Sequence, residues 1–253
     1  KHTGMSYPNQ MRVVYEKLGL QGQFNQQTPN HLLGLTYARE QARISPEMSL
    51  LPIERLGQGY KDKGNNEGFL SGTSIREFAK EGDFEKIKGK VPEQTYTDLT
   101  TSSLVSWENY FPYLKYELLA SSSEDLKKIY QMTEGLEKRL KLAKDAENFW
   151  QLETVLKTKR YSKVRLRRLL SYVLLQIKQE EVLAQEDFLN VLGFTKAGQS
   201  YLSEIKKTLN LPLITKRKKN QEELLRLNHR VDEIYALSPG VQDQIFARLP
   251  TRV

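Results

Sequence analysis

The chain has 253 residues, enough for one large domain or two modest ones, and its composition is that of an ordinary folded protein with a net charge of +8. The absence of cysteine excludes disulfides and thiolate catalysis, and three scattered histidines give no metal-ligand spacing, so no metal site is predicted. The longest nearly continuous apolar run, residues 169–177, is shorter than the roughly 20 residues that cross a bilayer, so no membrane span is predicted. The absence of cysteine suits a cytoplasmic protein, which is our expectation.

The first fifty residues predict two helices. Apolar residues at helical spacing indicate a short helix that ends near Gly19, and Pro29 is well placed to open a second one. Residues 50–56 then form a short apolar run. Because Pro52 lies inside this run, we predict an edge strand rather than a central one.

A glycine-rich loop and a polar helix start follow. Residues 57–68 contain four glycines and predict a flexible loop, and the Ser-Gly-Thr-Ser sequence of residues 71–74 predicts the cap of a helix over residues 75–81. Hydroxyls beside free N–H groups form a site for an anion, which would also stabilise Arg76 against the helix dipole. The simpler alternative is a structural cap with a solvated arginine.

The composition changes after residue 90. Residues 92–106 are polar and rich in Thr and Ser, so they predict an inter-domain link. Helical periodicity follows, then a short strand over residues 211–215 and a helix in the tail. We therefore expect a mainly α protein in which residues 1–90 form a small α/β part and residues 91–253 form a helical domain.

Positive charge is concentrated in one segment of the helical part. Residues 157–168 hold seven cations in twelve positions and no acidic residue. They begin a stretch, residues 157–219, with 15 Lys or Arg and 5 Asp or Glu, so this stretch carries +10 while the rest of the chain sums to −2. Such an excess is typical of a surface that binds a polyanion. Nucleic acid is the first candidate. An anionic membrane surface is the second, but no hydrophobic face rich in Trp or Phe accompanies the charge, so no membrane partner is expected.

A helix predicted over residues 162–178 would turn Leu166, Leu169, Leu170 and Val173 towards the core and leave the cations on either side. A solvated helix face normally mixes charge signs, so unrelieved positive charge favours contact with nucleic acid phosphates. Tyr161 could stack on a base or pack inward. The predicted nucleic-acid contacts are Lys157, Lys159, Arg160, Tyr161, Lys163, Arg165, Arg167 and Arg168.

Several short motifs also occur in a fixed order. They are Ser6-Tyr7-Pro8, Pro29-Asn30 with Leu33-Gly34, Arg55 before Gly59-Tyr60-Lys61-Asp62, Ser71-Gly72-Thr73-Ser74-Ile75-Arg76-Glu77, Phe111-Pro112-Tyr113-Leu114-Lys115-Tyr116, Glu134-Gly135-Leu136-Glu137, Lys157-Thr158-Lys159-Arg160-Tyr161 and Leu192-Gly193-Phe194-Thr195-Lys196-Ala197-Gly198. This ordered set spans nearly the whole chain. It resembles the bacterial tRNA(Met) cytidine acetate ligase family, which is nucleotidyltransferase-like.

The resemblance implies an ATP-dependent ligase. Such an enzyme activates acetate as an acetyl-adenylate and transfers the acetyl group to N4 of the wobble cytidine of elongator tRNA(Met). ATP is then a substrate, with magnesium and without a tightly bound cofactor, and tRNA and acetate are partners. By resemblance the ATP-binding residues would be Asn30, Arg55, Ser71, Thr73, Ser74 and Arg76, of which the last four would contact phosphates late in the reaction. No catalytic residue is assigned, and the basic segment would hold the tRNA.

The same resemblance implies a divided fold. Residues 1–90 would be the remnant of a Rossmann-like nucleotidyltransferase domain, and residues 91–253 a helical tRNA-binding domain. The family carries a His-x-Gly-His nucleotide signature in its N-terminal half, which this sequence does not contain. We therefore expect the chain to correspond to the C-terminal two-thirds of such an enzyme and to be inactive alone. Lys61 stands where the family commonly has His, which suggests altered nucleotide handling.

Two alternatives stay open on the sequence. An adenylyltransferase acting on a small metabolite would use the predicted ATP-binding residues but would leave the basic helices without a function. A non-catalytic RNA-binding module would use the basic helices but would leave the glycine loop and the polar helix start without one.

Overall fold

A computed structural model describes residues 29–53, 69–133, 135–216, 221–241 and 249–253, together with residues 10, 13, 14 and 16–19. The chain divides into two compact units, Lys1–Leu104 and Val105–Val253. The division thus follows residue 104, whereas the sequence placed a boundary after residue 90.

The described part of the first unit is helical. Its elements are α1 (Pro29–Ile44), α2 (Gly72–Glu81), a 3-10 turn (Phe84–Lys86) and α3 (Glu93–Thr101). The helix predicted after Ser71 is confirmed, and it begins at Gly72 because the Ser71 side chain accepts a hydrogen bond from the N–H of Ser74. Gly82 ends α2 in the left-handed region, at a φ of 76°, where a residue with a Cβ would be strained.

The described residues of this unit differ in several respects from what the sequence predicted. Residues 50–53 have no regular secondary structure, and no strand occurs among the described residues of 1–90, where an α/β part was expected. Pro52 has no N–H to donate to a sheet, and the neighbouring Leu51 and Ile53 are each 87% exposed, so no sheet covers residues 51–53. Residues 54–56 of the predicted strand lie outside the described residues. The polar link predicted over residues 92–106 contains α3, which Glu93 stabilises because it lies in the first turn.

The second unit contains most of the helices. They are α4 (Trp107–Ala120), α5 (Ser123–Lys127), α6 (Leu136–Leu142), α7 (Phe149–Leu156), α8 (Lys163–Leu174), α9 (Gln179–Ala184), α10 (Lys196–Ile205) and α11 (Arg226–Tyr235). Gln131 and Gly135, both at positive φ, separate α5 from α6. Within the described ranges, no helix combines the length and apolar character needed to cross a membrane.

The core of the second unit is built from the helices α4 to α8. Leu166, Leu169, Leu170 and Val173 of α8 are buried in it, as predicted. Trp107 stacks on the fully buried Phe149, with ring centroids 4.4 Å apart. Each fully buried side chain of this size contributes about 1.5–3 kcal/mol, so α8 is held in place by its apolar side while its cations remain near the surface.

Four two-residue strands complete the described part of the second unit. They are β1 (Leu189–Asn190), β2 (Gly193–Phe194), β3 (Leu213–Ile214) and β4 (Thr251–Arg252). β1 pairs with β3 and β2 with β4, both in parallel, and β3 confirms the short strand predicted over residues 211–215. A Cβ at Gly193 would lie 3.0 Å from the carbonyl oxygen of Thr251, so this close pairing favours glycine. The protein is therefore helix-rich with a small parallel sheet part.

Candidate functional sites

Two serine hydroxyls are buried at the start of α2. Ser71 and Ser74 are 3% and 2% exposed, and their Oγ atoms lie 3.0 Å apart. The Oγ of Ser71 also accepts the backbone N–H of Ser74 at 3.1 Å. Both hydroxyls are thus part of the helix cap, which is a structural function whether or not a ligand binds nearby.

Thr73 and Arg76 provide polar groups at the surface of the same helix start. Arg76 is exposed, and its Nη2 donates a hydrogen bond to the Oγ1 of Thr73 at 3.4 Å. A Cβ at Gly72 would lie 3.3 Å from the Nη1 of Arg76, so glycine leaves room for the guanidinium. The first turn of α2 has no acidic residue, which leaves its positive dipole end uncompensated. This surface can accept an anion through Thr73 and Arg76.

The structure brings four of the six predicted ATP-binding residues together, namely Ser71, Thr73, Ser74 and Arg76. Asn30 is the second residue of α1. Arg55 lies outside the described residues, as do Lys61 and the predicted glycine-rich loop.

The predicted nucleic-acid segment, residues 157–168, comprises the loop after α7 and the first half of α8. Two of its cations share a buried carboxylate. Glu153 of α7 is 1% exposed and accepts hydrogen bonds from the Nε and Nη2 of Arg167, at 2.5 and 3.1 Å. The Nζ of Lys163 lies 3.3 Å from the Oε2 of the same carboxylate. One negative charge is therefore shared by two positive ones.

Glu153 was not singled out by the sequence. Burial by itself would raise the pKa of its carboxyl, but the hydrogen bonds from Arg167 and Lys163 outweigh burial and hold that pKa below its ordinary value. The residue lies between the buried Leu152 and Leu156 on an apolar helix. An acidic residue at such a position, just before a run of cations, is the pattern that could have revealed it.

Tyr161 packs inward and supports two arginines. Tyr161 is 7% exposed. Of the two possibilities that the sequence left open, the structure therefore supports inward packing and not stacking on a base. The guanidinium carbons of Arg165 and Arg160 lie 5.3 and 6.0 Å from the centre of its ring. Arg165 is held further by a hydrogen bond of 3.0 Å from its Nη2 to the Oγ1 of Thr133.

The remaining predicted contacts differ in their environment. Lys157 donates to the carbonyls of Thr158 and Tyr161, at 2.6 and 2.9 Å, and so closes the loop between α7 and α8. Lys159 and Arg168 are exposed. The segment therefore combines cations that also order the fold with cations that project into solvent.

Comparison with known proteins gives this arrangement a context. A family model described as HIGH Nucleotidyl Transferase matches residues 1–246. The chain is 35% identical over 227 residues to a tRNA(Met) cytidine acetate ligase of Levilactobacillus brevis, covering 88% of this chain and 59% of that protein. It is 36% identical over 252 residues to a tRNA(Met) cytidine acetate ligase of Streptococcus pneumoniae, covering 98% of this chain and 64% of that protein. The chain thus spans about three-fifths of the length of these curated relatives, and the resemblance inferred from the ordered motifs is confirmed.

Solved structures with the same fold are also known. The chain superposes on apo Thermotoga maritima TmcAL with a TM-score of 0.79 at 21% identity, over 99% of this chain and 68% of that one. A second crystal form of that protein, bound with alpha-thio ATP, superposes with a TM-score of 0.75 at 20% identity, over 99% of this chain and 67% of that one.

Proposed function

The chain belongs to the HIGH nucleotidyl transferase family, and from this premise we propose that it is part of an ATP-dependent ligase that acetylates N4 of the wobble cytidine of elongator tRNA(Met). The observation that carries the proposal is the similarity to tRNA(Met) cytidine acetate ligases over 98% of this chain. The substrates are then ATP, with magnesium, acetate and the tRNA.

The reaction requires two transfers. An acetate oxygen attacks the α-phosphorus of ATP, which forms acetyl-adenylate and releases pyrophosphate. The N4 amine of cytidine then attacks the acetyl carbon, loses a proton and releases AMP. In the first transfer, negative charge grows on the departing pyrophosphate, and fixed donors at that place stabilise it.

We assign that electrostatic function to the start of α2. The Thr73 hydroxyl and the Arg76 guanidinium lie together at its surface, 3.4 Å apart, and can both donate to phosphate oxygens. Ser71 and Ser74 hold the helix start in place from the buried side. Asn30 and Arg55 are proposed as further ATP ligands from the resemblance.

The tRNA is assigned to the second, helical unit. The outward cations of the loop and of α8, including Lys159, Arg160, Arg165 and Arg168, would contact phosphates, which supply affinity and salt dependence rather than base choice. This assignment explains why the excess charge of the chain is concentrated here. An adenylyltransferase for a small metabolite would give these cations nothing to bind.

The test uses the intact protein, ATP, labelled acetate and tRNA(Met), with nucleosides analysed by mass spectrometry. We expect N4-acetylcytidine at the wobble position and no product from a tRNA(Met) transcript in which that cytidine is replaced by uridine. Acetate-dependent ATP consumption that ignores tRNA would favour the small-metabolite alternative. If the folded, intact protein leaves tRNA(Met) without N4-acetylcytidine when ATP and acetate are present, the proposal is overturned.

A further inference from the structure

An exposed tryptophan lies beside the shared carboxylate. Trp150 of α7 is 41% exposed, and its ring meets that of Phe149 edge-on, with centroids 5.3 Å apart. The guanidinium carbon of Arg167 lies 5.5 Å from the centre of a Trp150 ring. Arg167 therefore contacts an aromatic surface and the Glu153 carboxylate at the same time.

Glu153 orients two cations on one face of α8. Lys163 and Arg167 are four residues apart on the helix, so they are neighbours on its surface. Their side chains are 58% and 40% exposed, whereas the Glu153 side chain is 2% exposed. An interhelical ion pair would need only one cation, and the second leaves a net positive charge at the surface next to the indole.

We propose that Trp150, Arg167 and Lys163 form a subsite for one unpaired nucleotide of the RNA substrate. The indole stacks on the base, the two cations bind the phosphate, and Glu153 is a positioning residue that holds the cations for it. The proposal rests on the proposed function, because it takes the substrate to be tRNA.

The chemistry of the subsite selects a single-stranded nucleotide. In a duplex the base faces are covered by their neighbours, so only an unpaired and unstacked base can lie on an indole ring. Stacking on an aromatic side chain is tolerant of base identity, and adjacent cations bind the backbone that carries the base. The subsite therefore adds an aromatic contact to a surface that is otherwise built from positive charge.

The salt dependence of tRNA binding distinguishes the base contact from the phosphate contacts. In the intact protein, Trp150→Leu should weaken tRNA(Met) binding by about tenfold and leave the slope of log K against log salt unchanged. Lys163→Gln with Arg167→Gln should weaken binding and reduce that slope by about one. Trp150→Phe, which keeps an aromatic ring, should bind almost as the unsubstituted protein does.

Fluorescence gives a readout that a structural function of Trp150 would not change. Adding tRNA(Met) should quench the tryptophan emission of the unsubstituted protein, because a stacked base lies on Trp150. Trp150→Phe should retain binding and lose that part of the quenching. Since phenylalanine is a conservative replacement, this arm does not depend on the folding of the leucine variant.

The positioning function of Glu153 is tested by a double-mutant cycle. Glu153→Gln should weaken tRNA binding in the unsubstituted protein. It should cause no further loss when Lys163 and Arg167 are already glutamine, because nothing is left for it to position. An equal loss in both backgrounds would show a general structural effect and overturn the positioning assignment.

The outcomes separate this inference from the proposed function. An intact protein that fails to bind tRNA(Met) overturns both. An intact protein that binds and acetylates tRNA(Met), while Trp150→Leu leaves its affinity unchanged and Trp150→Phe leaves its quenching unchanged, overturns the subsite alone.

Discussion

The carboxylate of Glu153 accepts two hydrogen bonds from the guanidinium of Arg167, at 2.5 and 3.1 Å, and so joins α7 to α8. Arg167 belongs to a segment that contains no acidic residue, and its partner comes from the helix before. A buried charge is tolerated only when it is paired, so this bond holds α8 against α7. The buried carboxylate of Glu153 therefore holds Arg167, one of the cations of the basic segment, in place.

Glu153→Gln should destabilise the protein. The substitution removes the charge that Arg167 and Lys163 share, and a hydrogen bond to a charged group contributes about 1.5–3 kcal/mol. We expect a loss of that size in the free energy of unfolding, measured in urea at neutral pH. The exposed Glu147, replaced by Gln, is the matched control and should change the free energy by less than about 0.5 kcal/mol. Equal effects of the two variants would contradict the paired-charge account.

Charge reversal on the outer side of α8 should abolish tRNA retention. Arg165→Glu with Arg168→Glu replaces two cations that we propose bind phosphates by anions, and it leaves the buried Leu166, Leu169, Leu170 and Val173 of α8 unchanged. We expect loss of the shifted band in a gel-shift assay and an unchanged helical content by circular dichroism. Phosphate contacts dominate affinity, so the loss should be largest at low salt.

The matched control for that variant is Lys127→Glu with Lys128→Glu. It alters the net charge equally, but Lys127 is the last residue of α5 and Lys128 follows it, and they already pair with Glu124 and Asp125. tRNA binding should change far less than in the α8 variant. Unchanged binding in the α8 variant itself would show that the tRNA lies elsewhere.

Local patterns in the sequence predicted the helices well. The cap at Ser71 and the buried face of α8 followed from side chains that act within one or two turns. The strand expected over residues 50–56 could not be judged that way, since a strand exists only where a partner pairs with it, and the partner is remote in sequence. The sequence did not predict the helix α3, because a segment rich in Thr and Ser has the composition that is typical of a link between domains.

The candidate site was predicted as a charge excess but not as a structure. Counting identified the basic segment and its cations. It did not separate Arg167, which pairs with Glu153, from the exposed Arg168, because pairing depends on how α7 packs on α8. Trp150 was overlooked for the same reason, since its proximity to Arg167 arises only in the folded chain.

Substitutions at the start of α2 should separate stability from catalysis. Ser71→Ala removes a buried cap and should lower the free energy of unfolding by about 1 kcal/mol. Arg76→Gln alters an exposed side chain and should leave stability unchanged. It should lower kcat/KM for ATP by about tenfold to a hundredfold, mainly through kcat, because the lost donor acts on charge that develops late in the transfer. An unchanged kcat for Arg76→Gln would contradict the assignment of Arg76 to the ATP site.

A second carboxylate joins α9 to α11. Glu181 accepts hydrogen bonds from the Nη2 of Arg230 at 2.7 Å and from the Nη1 of Arg226 at 2.6 Å. The backbone N–H of Lys178 donates to it at 2.9 Å. The hydrogen bond from Arg230 is the largest cause that lowers the pKa of Glu181, from 4.5 to about 2, although partial burial opposes it.

This lowered pKa predicts how stability depends on pH. A carboxyl whose pKa is lower in the folded than in the unfolded state stabilises the fold above its unfolded pKa, and this contribution is lost as pH falls through the folded value. For Glu181 the window runs from 4.5 down to about 2. Glu181→Gln should destabilise the protein at pH 6 by about 2–3 kcal/mol. The difference between the two proteins should shrink as pH falls from 4.5 towards 3 in urea titrations at each pH. A difference that stays constant over this window would show that the ion pairs between α9 and α11 do not form in solution.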